Sequence, residues 1–210
     1  MSESDKAARR EAILTAAEAQ LREAGFEAFS MEVLARTLGV ARGTLYRYFA
    51  TRETVLLELY LAQRSRFAAA MTADVGPGID DAAFVTCWYD HATSDPLFLM
   101  LQARLGSVIE HNIPRDALIT AKRAMQTEME DFAGYLAACL NVDPEHARRL
   151  IVGLVALLLG AAELDTSPRL NGLPEEFAAS MALFASRRVF TDNARLILDG
   201  LRREARQQRA

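Results

Sequence analysis

The stretch between Glu32 and Glu53 contains no carboxylate, yet it carries Arg36, Arg42, Arg47 and Arg52 together with Thr44, Tyr46 and Tyr48. Guanidinium groups and hydroxyls gathered in an acid-free run suit a polyanion. The cations neutralise phosphates, the hydroxyls bond to phosphate oxygens, and the planar arginine fork also matches base edges. Other chemistries find less support. Tyr89-Asp90-His91 and Cys139 are the polar groups from which an enzyme would have to be built, and no nucleophile, base and orienting residue stand in a recognisable arrangement. His91, His111 and His146 are never four residues from one another, and Cys87 with His91 is a lone pair of ligands, so neither a metal nor another cofactor is expected. Cys87 and Cys139 lie far apart without a C-x-x-C spacing, which fits a reduced compartment.

The cationic stretch needs a scaffold, and the flanking residues supply one. Ile13, Leu14, Ala17 and Leu21 recur at helical spacing over Ala8–Ala24, with Gly25 as a stop. Ser30 is a cap for a second helix whose apolar positions are Val33, Leu34 and Leu38. Gly39 then permits the left-handed conformation that turns the chain sharply, and a third helix restarts within two residues. Ala35 is small enough for the two helices to cross closely. In the third helix Val40, Leu45 and Phe49 share an inward stripe, which puts Gly43 and Arg47 at the centre of the outward face, flanked by Thr44 and Tyr46. Lacking a side chain, Gly43 lets the helix backbone lie close to a groove floor, and Arg42 occupies the first turn, the part that enters a major groove first. Thr51 begins a fourth helix running to about Ala73. This is the layout of a helix-turn-helix DNA reader.

The run G-V-A-R-G-T-L-Y-R-Y-F-A-T-R-E-T-V-L resembles the DNA-binding module of TetR-family transcriptional regulators. As a sequence pattern the resemblance covers about the first quarter of the chain; the remainder agrees in length and helical layout. It implies an all-α fold: an N-terminal three-helix DNA-binding domain with a helix-turn-helix over 1–52, then a helical ligand-binding and dimerisation domain over 53–210. Position by position, it places Arg42, Gly43 and Thr44 at base edges or phosphates, Tyr46 and Tyr48 on the DNA backbone, and Arg52 at a phosphate beside the amino end of the fourth helix. Ala41 departs from the family pattern, where a serine commonly caps the recognition helix; losing that cap costs about 1 kcal/mol.

Composition agrees with an ordered helical protein: 51% of residues are apolar, 25% charged, and Gly and Pro are sparse. A net charge of −4 means that any DNA-binding surface is a local patch. Further helices are expected over Asp81–Ala92, over Asp95–Glu110 with Pro96 at its first position, over Arg115–Leu140, from Asp143-Pro144-Glu145 to about Leu164, and after Pro174. Thr191-Asp-Asn either caps a last segment or marks a bend. No strand-like alternation is long enough to set against them.

The family resemblance also implies a small-molecule pocket among the middle helices. Helical phase offers Trp88 with His91, Phe98 with Leu101, and Met125, Met129 and Phe132, whose apolar and polarisable side chains suit an adaptable cavity but serve just as well as ordinary core. Gly153, Ala156 and Gly160 share one face; with Phe177, Met181 and Phe184 on the helix after Pro174 they suggest a dimer interface of two helices per subunit, the alternative being that both helices pack within one subunit. The most apolar segment, Leu150–Ala162, is shorter than the ~20 residues a membrane span requires. The opening MSESDKAARREAI has no apolar run followed by a cleavage site, so a cytoplasmic protein without membrane contact is expected. The reading that follows is a ligand-responsive regulator, foremost a repressor, that binds palindromic operator duplex DNA as a homodimer and changes its DNA affinity on binding a small apolar effector not yet identified. Its rivals are a helical interaction protein without operator specificity and an enzyme.

Overall fold

The structure, a computed structural model, describes residues 2–166 and 183–208. No strand occurs among them, and the all-α expectation holds. The helices are α1 (Glu3–Ala28), α2 (Met31–Thr37), α3 (Arg42–Tyr46), α4 (Arg52–Asp74), α5 (Asp81–Ser94), α6 (Pro96–Arg104), α7 (Arg115–Leu140), α8 (Pro144–Thr166) and α9 (Ser186–Gln208). The helix expected after Pro174 lies outside the described residues.

Two compact units emerge: the chain up to Arg66 together with Asp95–Met125, and Phe67–Ser94 together with Gln126 onward. In the first, α1 starts with a capping box in which Ser2 and Asp5 bond each other's backbone amide. Gly25, read as a stop, takes φ +79° and kinks α1, after which one more turn continues to Ala28. Ile13, Ala17, Leu21, Leu34, Leu45, Phe49, Val55 and Leu56 are buried. Farther along this unit, Arg22 of α1 forks onto Asp95 at 2.7 and 2.6 Å, while Asp95 itself caps α6 by accepting from the Leu97 amide at 3.0 Å. Tyr60 of α4 donates to Gln102 of α6 at 2.7 Å.

The expected helix Asp95–Glu110 is shorter than the sequence suggested. After Arg104 the chain widens into a π turn over Leu105–Ile109 and then tightens into a 3₁₀ turn over Glu110–Asn112. Gly106 and Ser107 are weak helix formers, so the segment has little intrinsic resistance to leaving α geometry.

In the second unit Phe67, Trp88 and Phe132 form an aromatic cluster, with ring centroids 5.0 Å (Phe67–Trp88), 6.2 Å (Phe67–Phe132) and 6.0 Å (Trp88–Phe132) apart. Helix α9 packs on α8 and α5. Its inward face is Phe190, Ala194, Leu198 and Leu201, and Phe190 meets Tyr89 of α5 at 5.5 Å. Thr191-Asp-Asn neither caps nor bends it, because α9 has already begun at Ser186. There the Ser186 hydroxyl shares a 2.6 Å hydrogen bond with that of Tyr89, while the Asn193 amide folds back onto the Val189 carbonyl at 2.8 Å. The first residue of α9 is thereby tied to α5.

Candidate nucleic-acid interface

The candidate surface is assembled from two short helices and the turn between them. Ser30 accepts from the Val33 amide at 3.2 Å and so starts α2. Gly39, at φ +63°, reverses the chain, and the Val40 amide closes on the Ala35 carbonyl at 3.0 Å. Only five residues of α3 are α-helical, and Ala41 at its N-cap provides no side-chain bond. What holds so short a helix is burial: Leu45 and Phe49 are both 0% exposed, Val40 is half-buried, and the Phe49 amide still bonds to the Leu45 carbonyl at 3.0 Å.

On the opposite side Arg42, Gly43, Tyr46 and Arg47 are exposed, matching the outward placement read from helical phase. A methyl group built on Gly43 would meet nothing within 4 Å, so the backbone here faces open space. Arg42 lies over the Tyr46 ring at 5.6 Å and donates to its hydroxyl at 3.2 Å, an i,i+4 contact that holds both side chains on the α3 face. Thr44 and Tyr48 are half-buried at the edges. Among the described residues Arg36, unlike Arg42 and Arg47, forms an ion pair, with Glu32 at 3.2 Å.

Arg52 is half-buried, unlike Arg42 and Arg47. Its guanidinium turns back on the end of α1, donating to the Phe29 carbonyl at 3.0 Å and the Phe26 carbonyl at 2.5 Å, and it lies over both phenyl rings at 5.6 and 5.0 Å. These carbonyls belong to the last turn of a helix and its cap, where acceptors lack intrahelical partners, so a cation there satisfies them. A second arginine has the matching duty at the end of α3. Arg10 of α1 donates to the Tyr48 carbonyl at 3.0 Å, lies 4.3 Å over the Phe49 ring and pairs with Glu58. Partial burial lowers its pKa from the ordinary arginine value. Nothing in the sequence around Arg10 distinguished it from its solvent-facing neighbour Arg9, because the contact spans from residue 10 to 48 and exists only after folding.

The residues put forward as a pocket are divided between the units. Phe98, Leu101 and Met125 are buried in the first; Trp88, His91, Met129 and Phe132 belong to the second. Trp88 is fully enclosed, and its indole Nε1 has no acceptor among the described residues. On α8, Gly153 faces Ile197 of α9, whose Cγ2 would stand 3.7 Å from a Cβ placed there, whereas Ala156 and Gly160 are exposed. Val152 of α8 and Leu196 of α9 are 60% and 63% exposed, and Phe184 is also exposed. Phe177 and Met181 lie outside the described residues.

Comparison with known proteins agrees with this arrangement. Residues 13–59 match the family profile "Bacterial regulatory proteins, tetR family", and residues 59–205 match "Tetracyclin repressor-like, C-terminal domain". The chain therefore belongs to the TetR family, whose members are DNA-binding transcription factors and not enzymes. Among solved structures, a transcriptional regulator from Rhodococcus sp. Rha1 superposes with a TM-score of 0.58 at 18% identity, covering 91% of this chain and 96% of its own. A variant of TetR from Acinetobacter baumannii AYE, in complex with minocycline, gives 0.54 at 17% identity, covering 93% and 94%. The regulator PfmR from Thermus thermophilus gives 0.51 at 19% identity, covering 89% and 97%. At such identities the likeness is one of fold. No helix among the described residues is long and apolar enough to cross a membrane.

Proposed function

We propose that this protein is a ligand-responsive repressor that binds a palindromic operator as a homodimer, acting in the cytoplasm. The observation that carries the reading is the two-sidedness of α3: Leu45 and Phe49 are wholly buried, while Arg42, Gly43 and Arg47 face solvent with open space in front of the glycine. A backbone without a side chain can settle near the floor of a major groove, with Arg42 entering first and the hydroxyls of Thr44, Tyr46 and Tyr48 bonding to phosphates. Arg52 supports this face indirectly by fastening α4 to the end of α1.

Two further features support the assembly and its response. Val152, Ala156 and Gly160 on α8, with Leu196 on α9, leave an apolar, small-residue face toward solvent, suited to a second copy of the chain. An effector would sit at the aromatic cluster of the second unit, where Trp88 has a buried donor to offer, the Phe132 ring centroid stands 6.0 Å from that of Trp88, and Met129 lies one turn before Phe132 on α7. Helix α4 has residues in both units, so a ligand with different affinities for two placements of α4 would shift the readers' separation, and only by that difference.

Selection of bound fragments from random duplex DNA, followed by gel-shift titration at two salt concentrations, tests the reading. An enriched palindrome bound with a steep salt dependence is the expected result. No enrichment, or a chain that sediments as a monomer at working concentration, removes it.

A further inference from the structure

The final residue of α4, Asp74, meets two residues of α5, Cys87 and His91, which stand four apart and so share a helix face. One carboxylate oxygen, the Cys87 Sγ and a His91 ring nitrogen all lie within 4.8 Å of one another. From the sequence, Cys87 and His91 lacked a third ligand; the fold supplies it from thirteen residues upstream of the thiol. We propose that Asp74, Cys87 and His91 form a zinc site, with the fourth position open to solvent.

The donor set is the mixed sulfur, nitrogen and oxygen set that Zn²⁺ accepts. Its usual bond lengths put tetrahedral donors about 3.3–3.7 Å apart, so shifts on the order of 1 Å or less are needed. At present His91 Nε2 and Asp74 Oδ2 share a hydrogen bond of 2.8 Å. On metal binding the ring proton resides on Nδ1, leaving the Nε2 lone pair for zinc, and the Cys87 thiol gives its proton to solvent as the S–Zn bond forms. Met71 stands behind the sulfur at 3.9 Å and limits its movement. The three donors line a shallow cleft of about 590 Å³ with Asp80 and Asp90. Asp80 accepts from the Ala82 and Ala83 amides through one oxygen and Asp90 pairs with Arg187, and both add negative field beside the three donors.

The site stands independently of the DNA-binding reading, since its test reads metal alone. Full-length protein freed of metal is titrated with Zn²⁺, and separately with Co²⁺ as a spectroscopic substitute. One Zn²⁺ per chain is expected, with a thiolate-to-cobalt charge-transfer band. Cys87→Ser abolishes the band, and Asp74→Asn or His91→Gln weakens zinc binding by at least ~10- to 100-fold, a range already typical of groups that merely orient a ligand. Cys139→Ser, altering the other cysteine, leaves stoichiometry and band intact. Circular dichroism in chelator verifies that each variant is folded, and wild-type protein alone still decides if one is not. Substoichiometric zinc, no charge-transfer band in the wild type, or a band that survives Cys87→Ser overturns the assignment.

Discussion

The exposed face of α3 and the seam behind it are built with the same side chain to opposite ends. Arg42 and Arg47 project to solvent, and among the described residues neither enters an ion pair. Arg10 and Arg52 spend their donors on carbonyls at the ends of α3 and α1. The difference lies in what each guanidinium can reach. A helix end leaves acceptors without partners, and an arginine folded against one becomes part of the scaffold, while Arg42, the first residue of α3, and Arg47, its C-cap, point to solvent and stay available. Charge counted along the sequence overstates what is left facing solvent, because part of it closes the structure on itself.

The contrast breaks most readily at its hydrophobic root. Leu45→Ala should lower stability by about 2–5 kcal/mol in urea unfolding, since this fully buried leucine docks the α3 helix that capping does not support. A loss under 1 kcal/mol would mean that α3 is held by something other than its apolar stripe. Next in size is Arg52→Ala, expected to cost about 2–3 kcal/mol because it strands two carbonyl acceptors and removes two ring contacts. Arg52→Lys should recover little of this, an ammonium being unable to span both carbonyls as the fork does. Were Arg52 a phosphate contact, as the family resemblance implied, its removal would leave the unfolding midpoint unchanged and reduce the salt slope of DNA binding by about one.

Most of the helical layout was legible because it rests on local signals. Ser30 through its side chain, and Gly39 and Pro144 through their backbone, mark helix ends locally, and the span of α7 follows from its amphipathic period. What escaped depends on partners distant in sequence. The start of α9 is tied to α5 through Tyr89 and Ser186, and the duty of Arg10 is set by a carbonyl at Tyr48. The outward direction of Gly43 and Arg47 could be phased from Leu45 and Phe49, but Arg52 lies beyond that helix, where its phase says nothing about direction. Likewise Cys87 and His91 were visible as a pair, and Asp74 joins them only through the packing of α4 against α5.

On the exposed side of the comparison, Arg42→Ala should weaken operator binding by ~1–3 kcal/mol while moving folding stability by no more than about 0.5 kcal/mol. Arg47→Ala should weaken binding similarly across all sequences and shallow the salt slope, the mark of a phosphate contact. Gel shifts paired with urea unfolding separate the two quantities. An Arg42 variant that unfolds as easily as the Arg52 variant would erase the distinction between reader and scaffold.

The smallest effect concerns the acidic counterpart of the scaffold arginines. Arg22 bridges Glu18 and Asp95, and the hydrogen bond from Arg22, helped by the Leu97 amide and opposed by burial, holds the Asp95 carboxyl below its ordinary 3.8. A lowered native pKa means that the unfolded chain binds the proton more readily. The contribution is therefore complete above the unfolded value, near pH 4, and fades as pH falls toward the native one. Arg22 is 42% exposed at its side chain, so solvent screening limits the contribution to about 0.5 kcal/mol. Asp95→Asn retains an oxygen to cap α6 and removes the charge. Its destabilisation should appear at pH 7, diminish below pH 4, and shrink with added salt. A penalty that persisted undiminished into acid would assign the effect to the cap and leave the Arg22 bridge without a share in holding α1 to α6.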